Sequence, residues 1–252
     1  MTKSTKRFRT SWRPGMTERG MIFNAEMVRA ILDGRKTQTR RIVKSQRVGD
    51  GWSVKEAQSP LTARHTHDWW LPTGTRPYSA LPGCPYGVVG DRIWVREAWA
   101  EAGGSAPELK LYRANYPAHV PSHYENVPPA EDIRWTPSIH MPRWASRILL
   151  EITDVRVERL NGISDADCIA EGIIPVPKDR VDDHQFWRDY RLSGDGTFCV
   201  HTPRESFESL WKSVRGKSFD HEEDTGPGSW KANPWVWVIE FKRIEGDDHA
   251  TD

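Results

Sequence analysis

Hydrophobic residues occur along this chain in short segments of two different periods. Segment 23–34 spaces its apolar residues three or four apart, which predicts a short helix with one buried face. Asn24 suits the N-cap of this helix, and Gly34 suits the left-handed position at which helices end. The apolar positions are Met27, Val28, Ile31 and Leu32.

Two later segments carry helix start signals. Ser164 followed by Asp167 predicts the start of a short helix that Gly172 ends. Thr202, with Pro203 at the first helical position and Glu205 as its capping partner, predicts a longer helix. The buried stripe expected for this third helix consists of Phe207, Leu210, Trp211 and Val214.

Alternation with period two predicts the strands. Residues 36–44 are rich in threonine and branched side chains and indicate a strand directly after the first helix. Residues 90–99 predict a Gly-Asp turn that leads into a strand. The strongest alternation begins at Trp144 and continues through Val157, and residues 234–244 indicate a last strand with at least one fully buried face.

Three stretches rich in proline, glycine and tryptophan separate these elements. We interpret them as loop-rich insertions on the surface of one domain that spans 21–244. A flexible basic tail is expected at 1–20 and an acidic tail at 245–252. The pattern favours the α+β class, as a compact β-barrel with short helices. The insertions are expected at about 45–90, 101–137 and 173–201.

Composition limits the classes of function. The net charge of +1 provides no global field for nucleic acid or an anionic membrane, so any polyanion contact must be local. Three cysteines without a CxxC pair suggest reduced thiols and a cytoplasmic protein. No apolar run approaches the roughly 18 residues of a membrane span, and no signal peptide is indicated. The thirteen tryptophans are expected mainly in the core.

The segment GRKTQTRR, residues 34–41, is the main candidate for chemistry. It is consistent with a solvated basic turn, a phosphate cradle or a catalytic pocket. It lacks the glycines of a Walker A loop, which excludes that motif. The histidines of the insertions form no recognisable set of four ligands, so no metal and no cofactor is predicted.

The same segment resembles the signature of the ASCH family, relatives of the PUA RNA-binding barrels. The matching residues are Gly34, Lys36, Thr39 and Arg41, and the strands GDRIWVREAW and WVIEFKRI resemble two further blocks of the family. The pattern is most similar to the long ASCH proteins of tailed bacteriophages and prophages. About half of the chain is covered, in separated blocks, and the three insertions have no counterpart in small members of the family.

The resemblance implies a PUA-like barrel with a cleft for a modified pyrimidine nucleoside, a nucleotide or RNA. The family commonly has glutamate where this chain has Thr39. A bacterial subgroup that shares the threonine resembles amidohydrolases of N4-acetylcytidine, and carrying over its machinery implies catalysis by Thr39, Lys36 and Glu171. Glu171 would otherwise be a solvated helix end, which on sequence alone is the more favoured interpretation.

The residues themselves allow this chemistry. A lysine activates a threonine only in its neutral form, which burial or nearby positive charge favours. Arg35, Arg40 and Arg41 crowd Lys36 and could lower its pKa. Arg35 and Arg41 are also candidate substrate-binding residues, and Arg41 would share a strand face with Thr39. Near the last strand, Asn233 and Trp235 are candidate substrate-binding residues for a base; strand initiation explains both equally well.

Three functions therefore remain open. The first is hydrolysis of an N4-acylcytidine amide, and the second is binding of RNA or a nucleotide in the same cleft without catalysis. The third is a phage assembly or interaction role, in which the insertions rich in tryptophan and proline contact a protein partner. A cytoplasmic location follows for each, in the bacterial host if the protein is phage-encoded.

Overall fold

The computed structural model describes residues 15–49, 51–104, 106, 108–177, 184–191, 198–214 and 226–244. The strands are β1 Glu18–Ile22, β2 Gln38–Ile42, β3 Ser53–Glu56, β4 His67–Trp70, β5 Ser79–Ala80, β6 Arg92–Arg96, β7 Trp99–Glu101, β8 Lys110–Tyr112, β9 Leu149–Arg159, β10 Trp187–Arg188, β11 Cys199–Val200 and β12 Trp235–Ile244. The α-helices are α1 Ala25–Leu32, α2 Asp165–Ala170 and α3 Pro203–Val214. The mixed α+β class is thus confirmed, with strands predominating.

A five-stranded sheet in the order β1-β6-β9-β12-β2 forms the centre of the fold. Only the pair of edge strand β1 with β6 is parallel; the other neighbours are antiparallel. β12 lies between β9 and β2 and is buried on both faces, as in Val238 and Ile239, which expose no surface. Its alternating apolar pattern correctly predicted a strand with a buried face.

The sheet is not closed into a barrel by strand pairing within the described residues. β1 and β2 are its two edges, and α1 connects them along the chain. One side chain nevertheless joins the edges: Arg41 of β2 donates a hydrogen bond of 2.8 Å to the carbonyl of Ile22 at the end of β1. The sheet is therefore curved enough to bring its edges within the reach of one arginine.

The three predicted helices are confirmed, with the caps that the sequence indicated. Asn24 accepts a hydrogen bond from the Met27 amide, and Ser164 accepts one from the Asp167 amide. Thr202 and Glu205 form a reciprocal capping box, in which each side chain accepts from the other residue's amide. The buried stripe of α3 is shorter than expected, because Val214 in the last turn is 58% exposed.

The segment 45–90 is more regular than its composition suggested. β3, β4 and β5 form an antiparallel sheet in it, and all four residues of β4 are buried. Trp69 contacts Trp235 edge to face at 5.4 Å between ring centroids, so this small sheet covers one face of β12. Packing thus accounts for Trp69, as expected for most of the tryptophans.

The prediction that a strand begins at Trp144 was wrong by five residues. Residues 143–145 form a 3-10 helix, Trp144 is 61% exposed, and β9 begins at Leu149. Pro142 lies directly before this turn, and its carbonyl accepts a hydrogen bond of 3.1 Å from the Ala145 amide, which closes the turn.

At the N-terminal side, residues 18–20 of the predicted tail are the first residues of β1. The remainder of that tail up to residue 14, and the acidic segment 245–252, lie outside the described residues. Across the described part of the chain, no helix has the length and apolarity that crossing a bilayer requires.

We predict that Gly172→Ala destabilises the fold and displaces Lys36. Gly172 has a φ of +90°, and a Cβ there would lie 2.8 Å from Ala30 Cβ and 2.9 Å from Lys36 Cβ. The left-handed conformation and the contacts together should cost about 2–3 kcal/mol in the free energy of unfolding. Urea denaturation measures this loss. Gly162→Ala is the control, because a Cβ at Gly162 meets nothing within 4 Å; equal losses for both variants would contradict the prediction.

Candidate functional site

The turn after α1 fixes the position of Lys36. Gly34 adopts a φ of +73° and ends the helix, as the sequence predicted. The Lys36 amide then donates to the Ala30 carbonyl at 2.9 Å, and the Thr37 amide donates to the Ala170 carbonyl at the end of α2. The C-terminal ends of both helices therefore converge on the start of β2.

Lys36 and Glu171 form a buried ion pair at this junction. The Lys36 Nζ lies 2.7 Å from Glu171 Oε2 and 2.8 Å from the Glu171 main-chain carbonyl. The two residues are 4% and 3% exposed. The interpretation of Glu171 as a solvated helix end is therefore wrong. The unfavourable helix dipole at this C-cap residue is offset by cations that bind its carboxylate.

Arg40 is the second cation of the cluster; it was expected only to crowd Lys36, and its binding of carboxylates was not predicted. Its side chain has no exposed surface, and its Nη1 lies 3.2 Å from Glu171 Oε1. Its Nη2 lies 3.2 Å from Glu158 and 3.3 Å from Asp167. Three carboxylates thus converge on one guanidinium, which holds Glu171 from the side opposite Lys36. The charged cluster consists of Lys36, Arg40, Glu158, Asp167 and Glu171.

Burial lowers the pKa of the Lys36 ammonium from its ordinary value of 10.5, because the charged form loses its hydration. Glu171 opposes this shift through its charge and its hydrogen bond, while Arg41 and Arg40 add to it by repulsion. The desolvation is the larger effect, so Lys36 releases its proton more easily than a surface lysine. The expected influence of neighbouring arginines on Lys36 therefore comes from Arg40 and Arg41.

A cavity of about 540 Å³ opens between the two edges of the central sheet. Lys36, Thr39, Arg41 and Glu171 all line it, so the structure brings the three predicted catalytic residues and one predicted binding residue together. Thr39 is 4% exposed, and within the described residues no hydrogen bond engages its hydroxyl. A buried hydroxyl in this setting is available to a ligand or to a base.

Another part of the cavity lining is apolar and aromatic. It comes from the first turn of α1 and from one face of α3, which carries Phe207 and Trp211. These α3 side chains were expected only in a helix core. The apolar spacing does not distinguish a cavity-lining stripe from a core stripe, and the exposure of Val214, which also lines the cavity, is visible only in the structure.

The other predicted substrate-binding residues do not line this cavity. Arg35 points away from it and donates to the Gly172 carbonyl and the Asp33 carboxylate. Asn233 adopts a φ of +47° and accepts a hydrogen bond from the Asn161 amide, which is a turn function. Trp235 is 7% exposed and packs against Trp69.

A second cavity, of about 490 Å³, lies beside β7 and β8. Its charged lining residues Glu101, Asp132 and Arg134 are all exposed, in contrast to the buried cluster around Lys36. Among the residues that the structure describes, no group of three histidine, cysteine, aspartate or glutamate side chains could hold a metal ion. The Lys36 cavity is therefore the candidate site.

Comparison with known proteins finds no matching family model, no matching curated protein and no matching solved structure. The geometry of the cavity and the residues of GRKTQTRR are therefore the basis on which a function is argued.

We predict that Arg40→Met costs more stability than Arg156→Met. Both arginines contact Glu158 and Asp167, but the Arg156 side chain is 28% exposed whereas that of Arg40 is fully buried. Removing Arg40 leaves the buried Glu171 with Lys36 as its remaining cation and takes one of two cations from Glu158 and Asp167, which should lower the free energy of unfolding by about 3 kcal/mol. Arg156→Met should lower it by about 1 kcal/mol. Urea unfolding at pH 7 compares the two, and an equal loss would contradict the assigned role of Arg40.

Proposed function

We propose that this chain is an ASCH-type protein that binds a modified pyrimidine nucleoside or nucleotide and hydrolyses an N4-acylcytidine amide. The observation that carries the proposal is the meeting of Lys36, Glu171 and Thr39 in one cavity, with Lys36 desolvated. These are the three residues that the resemblance to the Thr-containing amidohydrolases implied.

The proposal includes a PUA-like barrel. In support, the edge strands β1 and β2 approach closely enough for Arg41 to bind the Ile22 carbonyl. The cavity lies at this seam and not on the flat face of the sheet. A ligand at the seam would contact residues of both edges, Ile22 of β1 and Arg41 of β2 among them.

The cavity suits a base with an attached acyl group. Its volume of about 540 Å³ lies in the usual range of ligand pockets, roughly 300–1,000 Å³. Trp211 is partly exposed and offers aromatic surface against which a pyrimidine ring can stack. The charged side chains lie next to this aromatic surface, with the Arg40 guanidinium 5.9 Å from the centre of the Phe207 ring, and an amide carbonyl would meet them there.

The proposed reaction begins with proton transfer from Thr39 Oγ1 to the neutral Lys36 amine. The oxygen attacks the acyl carbonyl, and the resulting oxyanion is stabilised by the ammonium group that Lys36 has become. The C–N4 bond then breaks, and N4 takes the proton from Lys36. Cytidine is released, and the acyl group remains on Thr39 as an ester. Lys36 next deprotonates a water molecule that hydrolyses the ester and regenerates the threonine. Glu171 orients the Lys36 nitrogen throughout.

A second candidate function is binding of the same ligand without turnover. It is favoured by the 2.7 Å ion pair with Glu171, because this contact stabilises the protonated lysine that cannot act as a base. In this alternative, Lys36 and Arg40 stabilise the cavity wall only. The result expected for this alternative is that the protein binds the nucleoside but releases no product from it.

We predict that the protein converts N4-acetylcytidine to cytidine and that this activity depends on Lys36 and Thr39. Lys36→Ala and Thr39→Ala should each lower kcat/KM by about 10²–10⁴-fold, since each removes one partner of the proton transfer. Chromatographic separation of cytidine from substrate measures the rate. Thr39→Ser should retain part of the activity, because it keeps a hydroxyl.

Matched controls are available on the same segment. Thr37 and Lys44 are exposed neighbours of the same residue types and do not line the cavity, so Thr37→Ala and Lys44→Ala should leave the rate unchanged. Cytidine release that survives both Lys36→Ala and Thr39→Ala would refute the mechanism. Ligand binding by the wild-type protein without any release would favour the binding function instead.

A further inference from the structure

The cavity has a deep end and an open rim with different chemistry. Lys36, Thr39 and Glu171 form the deep end and are each 3–4% exposed. Ile22 is 43% exposed and Val214 is 58% exposed, and both line the same cavity, so they mark its opening to solvent. Polar lining residues of intermediate exposure lie between these extremes. They are Arg41, Tyr86 and Ser138.

Arg41 differs from Arg40 in its partners. Arg40 binds three carboxylates, whereas Arg41 forms no ion pair with any carboxylate in the described part of the chain. Within the described residues, its one side-chain hydrogen bond goes from Nη2 to the Ile22 carbonyl, and its guanidinium lies 5.3 Å from the centre of the Phe23 ring. The Arg41 Nε is buried without a hydrogen-bond partner. This arginine therefore brings to the cavity a positive charge that Glu171 attracts from a distance but that no carboxylate of the described residues contacts.

Two hydroxyl groups share the cavity lining with Arg41. Tyr86 is close enough for its charge state to affect the pKa of Arg41, and Ser138 begins a 3-10 helix that contributes to the lining. Within the described residues, neither side-chain hydroxyl is engaged in a hydrogen bond. The lining thus offers one guanidinium and two unengaged hydroxyls, all able to donate hydrogen bonds.

We propose that Arg41, Tyr86 and Ser138 form a subsite for a phosphate group, so that the ligand is a pyrimidine nucleotide and not a free nucleoside. This inference rests on the proposed function, and it names the substrate class of that same cavity. A guanidinium binds phosphate through paired, charge-assisted hydrogen bonds, and hydroxyl groups complete the set of donors around its oxygens.

The charge distribution favours an anion at the rim and disfavours one at the deep end. At the deep end, the Glu171 carboxylate would repel a phosphate, and its two cations are already engaged. Burial lowers the pKa of Arg41 because its charge loses hydration, and a bound anion would offset that loss. A nucleotide that places its base against Lys36 and Thr39 would therefore direct its phosphate towards Arg41.

Calorimetric titration of the wild-type protein with cytidine and with cytidine 5′-monophosphate tests the subsite without requiring catalysis. The nucleotide should bind at least about 10-fold more tightly at low salt, as expected when charge-assisted hydrogen bonds are added. The advantage should shrink at high salt, because ions screen the partly exposed contact. A nucleotide that binds no better than cytidine, including the absence of binding by either, would overturn the proposal.

A third ligand distinguishes the source of the phosphate. The dinucleotide cytidylyl-(3′→5′)-adenosine carries a phosphodiester in place of the monoester. Binding as tight as that of the mononucleotide supports the subsite and assigns it to an RNA strand. If the dinucleotide binds only as weakly as cytidine while the mononucleotide binds tightly, the result supports the subsite and assigns it to a free nucleotide.

Variants separate the subsite from a general effect on folding. Arg41→Gln should remove most of the 10-fold preference for the nucleotide while cytidine binding persists. Tyr86→Phe removes only one hydroxyl and should reduce the preference by a few fold, so it tests the subsite even if Arg41→Gln fails to fold. Arg243→Gln, an exposed strand arginine on β12, is the matched control and should keep the full preference. An unchanged preference in both subsite variants would overturn the proposal.

The two proposals can fail separately. Preferential nucleotide binding without hydrolysis of any N4-acyl substrate would retain the phosphate subsite and refute the enzyme. Hydrolysis of N4-acetylcytidine and its 5′-monophosphate with equal kcat/KM and equal affinity would retain the enzyme and refute the subsite.

Discussion

The fold and the site of this molecule depend on one buried ion pair. Lys36 Nζ and Glu171 Oε2 lie 2.7 Å apart, and both residues are almost completely shielded from solvent. Two buried charges are tolerated only if each has well-placed partners, because desolvation of an ion costs several kcal/mol. The partners here are Arg40 and the Glu171 main-chain carbonyl. They tie α2 to β2, and Gly172 allows the close approach because it has no Cβ.

The same constraint links the fold to the proposed chemistry. β2 is an edge of the central sheet, and the ion pair holds its N-terminal end against two helix termini. The other edge, β1, is reached by Arg41 from β2, and the space between the edges is the cavity. Desolvation at the deep end lowers the pKa of Lys36, while the rim retains a cation without a carboxylate. One region thus provides a base, a hydroxyl and an anion-attracting group.

Sequence patterns predicted the parts of this structure that are determined by interactions between residues close together in the chain. Helix caps such as Asn24 and the left-handed Gly34 follow from backbone hydrogen bonding and sterics, and both were recognisable in the sequence. The small sheet in 45–90 was not, because its stability comes from contacts such as Trp69 with Trp235, which are distant in the chain. The two-residue alternation of a strand also predicted that Arg41 lies beside Thr39. It gave no indication that Arg40, which this alternation places on the other face, binds Glu171, a residue 131 positions later in the chain.

The account depends most directly on the ease with which Lys36 loses its proton. An NMR titration of the side-chain Cε and Nζ resonances, assigned by their absence from Lys36→Met, measures this pKa in the folded protein. The account predicts a midpoint below the ordinary value of 10.5, with the remaining lysines as internal references. A midpoint at or above 10.5 would show that the attraction of Glu171 exceeds the cost of burial. Lys36 would then be a structural cation and could not be the base.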